Sequence, residues 1–208
     1  MKFLDIDNWE RKEHFHFFNT FLDPYFSVTT KVDVTAAKAY AKEYSFSFFA
    51  IYLHACMRAI NSVENFKYRI EGDKVVVHDT IHASATILRP NKTFGFSFIH
   101  FSEDLLTFTN NLNREKERIF NSDALFPPQN TLDCIYCSSM PWIPIEGHKE
   151  PLKGVKESVP KFAFGKAVAT NGVFEMTIAA SVNHALIDGY HLSCFFDKFQ
   201  EFLNSYKK

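Results

Sequence analysis

The sequence carries almost no net charge: 23 Lys and Arg stand against 24 Asp and Glu, a formal charge of -1. That balance excludes binding whose affinity comes mainly from neutralising phosphates, so no nucleic-acid partner is expected. Cysteine is scarce as well. Cys56, Cys134, Cys137 and Cys194 are too few and too scattered for a disulfide framework in 208 residues, and they read as reduced thiols. The longest apolar run, 46–60, holds His54 and Arg58 and is too short and polar to span a bilayer, so no membrane partner is expected. Met1-Lys2-Phe3-Leu4-Asp5 lacks the apolar stretch of a signal peptide, which predicts a cytoplasmic location. No internal repeat, low-complexity tract or Pro/Gly-rich linker interrupts the chain. One domain over residues 1–208 is the simplest organisation, and a chain of that length buries a core unaided.

Aromatics are abundant: 24 Phe, 8 Tyr and 2 Trp make up 16% of the chain. That exceeds what core filling needs, so some are expected to line a pocket or a subunit interface. Hydrophobic periodicity and turn residues predict a short helix over 9–19, a strand over 25–34, a helix capped by Thr35, and a helix over 47–61 that is apolar almost all round. Strands over 66–70 and 74–78 flank Glu71-Gly72-Asp73, a hairpin signal with Gly at the turn. Further strands are predicted at 81–88, 94–101, 132–138, 162–170 and 173–183, with helices over 103–120 and 188–206. Runs of strands with a few long helices make an α+β pattern, helices packed over a mixed, mainly antiparallel sheet.

In VFEMTIAASVNHA the even positions Phe174, Met176, Ile178, Ala180 and Val182 form one apolar face, and His184 continues that parity while Asn183 points the other way. Asp188-Gly189 follows, then an apolar helical stripe of Leu192, Phe195, Phe196, Phe199 and Leu203. An inward-facing His thus stands at a strand-to-helix junction beside a carboxylate. Spacing alone also fits a satisfied core His next to a helix N-cap Asp, and His-x-x-x-Asp is a weak motif. Cys134-x-x-Cys137 lies in a strand, where residues three apart face opposite sides, and no second pair completes a zinc site. His14 and His16 diverge on their helix, and His54 reads as a core histidine.

The whole segment SVNHALIDGYHLSCFFDKFQEFLN resembles the active-site segment of the chloramphenicol acetyltransferase family, whose pattern is His-His-x-x-x-Asp-Gly followed by the last helix. NWERKEHF, FKYRIEGDKVVVHD and SSMPW agree in the same order, so the resemblance covers nearly the full chain. It implies the two-layer α/β sandwich of the CoA-dependent acyltransferases, shared with dihydrolipoamide acyltransferase catalytic domains, and a homotrimer with active sites between subunits. It implies acetyl-CoA as acyl donor, a hydroxylated small molecule such as chloramphenicol as acceptor, and no metal. Residue by residue, His184 matches the general base, Asp188 the structural carboxylate that pairs with Arg11, and Ser138 the hydroxyl that donates to the oxyanion. A solvated Arg11 and a strand-end Ser138 bonded to backbone are the plain structural alternatives, and a non-catalytic trimeric member of the fold is the alternative for the whole chain.

The sequence departs from the family around the acceptor. Asn183 replaces the first His, Phe18 a tyrosine, Ala163 a threonine and Tyr136 an asparagine, while IPIEGHKEP after Trp142 does not follow the family pattern. Phe18, Phe26, Tyr136 and Ala163 are therefore the expected substrate-binding positions, with Phe94 or Phe96 as further candidates for an apolar wall. Kept catalytic residues beside an altered acceptor pocket describe a member with another acceptor, or with poor activity on chloramphenicol.

Overall fold

A computed structural model describes residues 2–151 and 157–206. Six strands form one sheet in the order β2-β9-β8-β7-β5-β6: β2 is Tyr25–Asp33, β9 Val173–Asn183, β8 Lys161–Thr170, β7 Cys134–Ser139, β5 His82–Leu88 and β6 Phe94–Phe96. The pairs β5/β7 and β7/β8 are parallel and the others antiparallel, the mixed, mainly antiparallel sheet that the pattern predicts. Helices α2 (Thr35–Glu43), α3 (Phe48–Ser62) and α5 (Gly189–Ser205) cover one face, and α4 (Leu105–Phe120) packs against α3 and β6. Among the described residues no helix is long and apolar enough to cross a membrane.

Strand alternation sorts the two faces. Val32, Ala83, Ala85, Ile135, Cys137, Phe162, Phe164, Met176, Ile178, Ala180 and Val182 point to the helices and join one large core. The intervening Ser84, Tyr136, Ser138, Lys161, Ala163, Ala179 and Ser181 point to the other face. The even parity of β9 is thus core-facing, as the sequence implies. Cys134 and Cys137 do face opposite sides: Cys134 packs with Phe98 and Val159, Cys137 with the main core.

A second, three-stranded sheet pairs β1 (Lys2–Phe3) and β3 (Tyr68–Glu71) with β4 (Lys74–Val77), and Gly72 turns the β3–β4 hairpin at φ +62°. It anchors the N-terminal segment, so that Trp9 packs edge-on against Tyr68 at 5.8 Å between ring centroids and α1 (Lys12–Phe18) begins beside the last helix. Buried Arg69 ties the hairpin to β7, donating to the carbonyls of Phe66, Tyr68, Leu132 and Cys134.

Two local expectations are corrected. Val34, not Thr35, stands at the N-cap of α2, and the Thr35 hydroxyl accepts from the Phe174 N–H instead. The strand expected over 94–101 stops at Phe96. Beyond it the backbone is satisfied by α4 side chains, with Glu115 accepting from Phe98 N–H and Arg118 donating to the Phe96 carbonyl, and only Ile99 bridges back to Ala83.

Candidate active site

His184 lies one residue beyond β9, its N–H bonded to the Pro24 carbonyl at 2.8 Å, so the turn before β2 fixes its backbone. Its ring stacks on Phe18 at 3.9 Å with 6° between planes, and Phe26 closes the other side at 4.5 Å. Nδ1 is buried with no hydrogen-bond partner, which leaves Nε2 as the nitrogen able to serve chemistry.

Asp188 caps α5. One carboxylate oxygen accepts from the N–H groups of Tyr190 and His191, and His191 Nδ1 accepts in return from the Asp188 N–H, a reciprocal capping box. The other oxygen pairs with Arg11, whose second terminal nitrogen donates to the His184 carbonyl at 3.2 Å. Arg11 thus bridges the start of the last helix to the backbone of His184. Its guanidinium lies 5.9 Å from the Trp9 ring centroid, which the small sheet holds in place. The pair is shielded rather than fully buried. Burial acts to raise the Asp188 carboxyl, but the charges of His191 and Arg11 outweigh it and hold the group below its ordinary value.

Ser138 is elsewhere. It faces the open side of β7, paired in register with Ala163, which is paired in turn with Ala179. His184 lies five residues beyond Ala179 and two strands from Ser138, which places the two about 20 Å apart in one chain. Ser138 makes no side-chain hydrogen bond among the described residues, whereas adjacent Ser139 faces the helices and bonds the Tyr52 hydroxyl at 3.0 Å.

A cavity of about 270 Å³ opens on Ser138, walled by Ser84, Thr86, Phe96, Phe126 and Tyr136, with Glu150, Glu157 and Lys161 at its polar side. Seven of the eight substrate and catalytic candidates therefore fall into two groups. Arg11, Asp188, His184, Phe18 and Phe26 form one corner, and Ser138 and Tyr136 line the cavity. Ala163 lies under neither surface: it is fully buried against Ile145 and Ala179. Phe96 joins the cavity wall, while Phe94 is nearly half exposed outside it. Burial pushes the Tyr136 phenol up to about 12.

Sequence reasoning missed Phe126, Thr86 and the charged trio. Lys161 stands two residues before Ala163 on an alternating strand, and that placement was the available signal. His54 is a core histidine as expected, bonded to the Tyr206 hydroxyl at 2.7 Å and the Ser102 carbonyl at 3.0 Å. Among the described residues no group of three or more His, Cys, Asp or Glu is placed to hold a metal ion.

The architecture is that of the CoA-dependent acyltransferases. A probable dihydrolipoamide acetyltransferase from Listeria monocytogenes superposes with a TM-score of 0.65 over 94% of this chain and 90% of that one, a likeness of fold alone at 14% identity. A solved chloramphenicol acetyltransferase agrees more closely, with a TM-score of 0.86 and 32% identity over 97% and 99% of the two chains. The chloramphenicol acetyltransferase of Campylobacter coli is 30% identical across 97% of both chains. The sequence profile of that family matches residues 1–200, and the chain belongs to the chloramphenicol acetyltransferase family. It is an acyltransferase of that type.

Proposed function

We propose that this acyltransferase moves acetyl from acetyl-CoA to a hydroxyl of chloramphenicol or a similar small molecule, the chain working as one domain in the cytoplasm. His184 Nε2 takes the proton of the acceptor hydroxyl as its oxygen attacks the thioester carbonyl. The Ser138 hydroxyl donates to the oxyanion of the tetrahedral intermediate. Collapse breaks the carbon–sulfur bond, and the imidazolium returns the proton to the departing CoA sulfur. The scheme forms no covalent enzyme intermediate and uses no metal. Turnover of chloramphenicol would make this an antibiotic-resistance activity.

The observation that carries the reading is Arg11 spanning Asp188 and the His184 carbonyl while Phe18 and Phe26 hold the imidazole ring. That is costly order for a histidine with only a packing role, and it aims one nitrogen outward. Because His184 and Ser138 stand far apart within a chain, a working site takes its base from one copy and its oxyanion donor from another. A homotrimer with three interfaces satisfies this.

Mixing the two inactive variants tests it. His184→Ala and Ser138→Ala proteins, unfolded together and refolded in equal amounts, should regain about a quarter of wild-type thiol release, since about one interface in four then pairs an intact Ser138 with an intact His184. No recovery from a mixture that demonstrably exchanges subunits would sink the shared site. Absence of His184-dependent turnover with every acceptor would leave a binding protein on this fold.

A further inference from the structure

Arg89 follows the last residue of β5 and is buried at 7% exposure, yet the acyl-transfer scheme makes no use of it. Its guanidinium is given over to main-chain carbonyls. Nε donates to Ile119 and Ser122, each at 3.0 Å, Nη1 to Phe94 and, at 3.4 Å, to the Thr93 hydroxyl, and Nη2 to Ala124 at 2.7 Å. Ile119 lies in the last turn of α4, Phe94 opens β6, and Ser122 and Ala124 belong to the irregular stretch after α4. A planar fork of five N–H donors can reach four carbonyls on three segments at once, whereas the three donors of a lysine share one nitrogen.

Two of those carbonyls stand at matched places. Phe94 precedes Phe96 by two residues, and Ala124 precedes Phe126 by two. The Phe96 N–H closes the link by donating to the Leu125 carbonyl at 2.8 Å. Phe96 and Phe126 then stack with ring centroids 5.4 Å apart and 24° between planes, both on the wall of the cavity that opens on Ser138. Phe126 is 55% exposed, so packing does little to place its ring and the backbone that carries it must. Gly95 leaves the room this requires: a Cβ there would lie 2.9 Å from Arg89 Nη2 and 3.0 Å from the Ile119 side chain.

We propose that Arg89 is a positioning residue for the acceptor. It ties β6 to the stretch after α4 so that Phe126 lies against Phe96, and the apolar body of the acceptor rests on that pair. The acceptor half of this inference rests on the acyl-transfer reading, while the hold of Arg89 on Phe126 is measurable without turnover.

The first test replaces Phe126 with 4-fluorophenylalanine in the full-length protein and reads its fluorine resonance. Phe96→Leu removes the stacked ring and gives the resonance of an unpaired residue 126. Arg89→Lys should move the signal toward that position, and Gly95→Ala, which crowds the guanidinium but keeps its charge, should move it the same way by less. The second test is thiol release from acetyl-CoA with chloramphenicol as acceptor. Arg89→Lys should raise KM for chloramphenicol by about tenfold while kcat and KM for acetyl-CoA stay within about twofold, the pattern of lost binding rather than lost chemistry. Phe126→Ala should do the same, and Arg89→Lys added to Phe126→Ala should raise KM no further, because residues that act through one contact are not additive.

A fluorine signal unmoved by Arg89→Lys overturns the inference, as does a multiplicative double variant or an equal rise in KM for acetyl-CoA. If Arg89→Lys does not fold, Gly95→Ala decides on the same criteria. The two failures are distinct. Wild-type protein without His184-dependent thiol release rejects the acyl-transfer reading and with it the acceptor half, and the fluorine signal still decides whether Arg89 sets Phe126.

Discussion

The two halves of the site are organised in opposite ways. Around His184 everything is fixed in advance: Phe18 and Phe26 clamp the ring, Pro24 holds the N–H, and Arg11 ties the carbonyl to Asp188 at the start of α5. Around Ser138 the wall is open, its hydroxyl makes no side-chain bond among the described residues, and the neighbouring chemistry is a mixture of aromatic and charged groups. A base must hold its orientation before the acceptor arrives, because misalignment wastes the entropy already spent on positioning. An oxyanion donor must instead have its hydrogen free until charge develops on the substrate. On the proposed reading the tightly determined corner supplies the base, and the more open cavity supplies the oxyanion donor.

The comparison breaks most visibly at the base. His184→Ala is expected to lower turnover by about 10²–10⁴-fold with an unchanged thermal midpoint, and wild-type-like thiol release from the folded variant would remove the role assigned to this corner. Ser138→Ala should cost about 10²–10³-fold in kcat, with little change in KM for acetyl-CoA. A loss confined to KM would mean that the hydroxyl binds substrate and not the intermediate.

Asp188 sharpens the contrast, since it both caps α5 and pairs with Arg11. Asp188→Asn keeps an acceptor for the cap and loses the charge, so it should leave stability within a few tenths of a kcal/mol while reducing turnover by roughly tenfold. Asp188→Ala should lose the same turnover and about 1 kcal/mol besides, read from urea unfolding. Equal turnover in Asp188→Asn and wild type would show that the cap, not the ion pair, positions His184.

The smallest effect concerns pH and lies away from both halves. Burial lowers the affinity of His54 and His82 for protons below the ordinary value of 6.5. His82 Nδ1 accepts the Phe101 N–H at 3.0 Å and cannot do so once protonated. The unfolded chain binds these protons more readily than the native one below pH 6.5, so stability is complete above that value and declines as pH falls through the lower native values. Urea midpoints should drop between pH 7 and pH 5, and a flat profile would contradict the neutral-histidine assignment. Asp188, depressed below 3.8, adds its loss only in stronger acid.

Much of this was legible in the sequence because strands alternate. The even parity of β9 located the core face and carried His184 with it, and Asp188-Gly189 before an apolar stripe marked the cap and start of α5. The same rule placed Cys134 and Cys137 on opposite faces. What failed were positions where side chains replace backbone partners. Glu115 and Arg118 of α4 end the strand after Phe96, and the Thr35 hydroxyl serves Phe174 instead of capping α2. At Gly165 no local pattern announces the close approach: a Cβ there would lie 2.9 Å from the Ile145 side chain.

By itself the sequence determined the order of elements, the buried face of the sheet, and which His, Ser, Asp and Arg match the family motifs, because each depends on local periodicity or on residue identity. Only the tertiary structure decided that Arg11 and Asp188, at opposite ends of the chain, meet beside His184, that Ser138 stands about 20 Å away on the other face of the sheet, and that Lys161 and Glu157 charge the cavity next to it. Those are distances between residues far apart along the chain, and they are fixed by strand order and register, which no single segment carries.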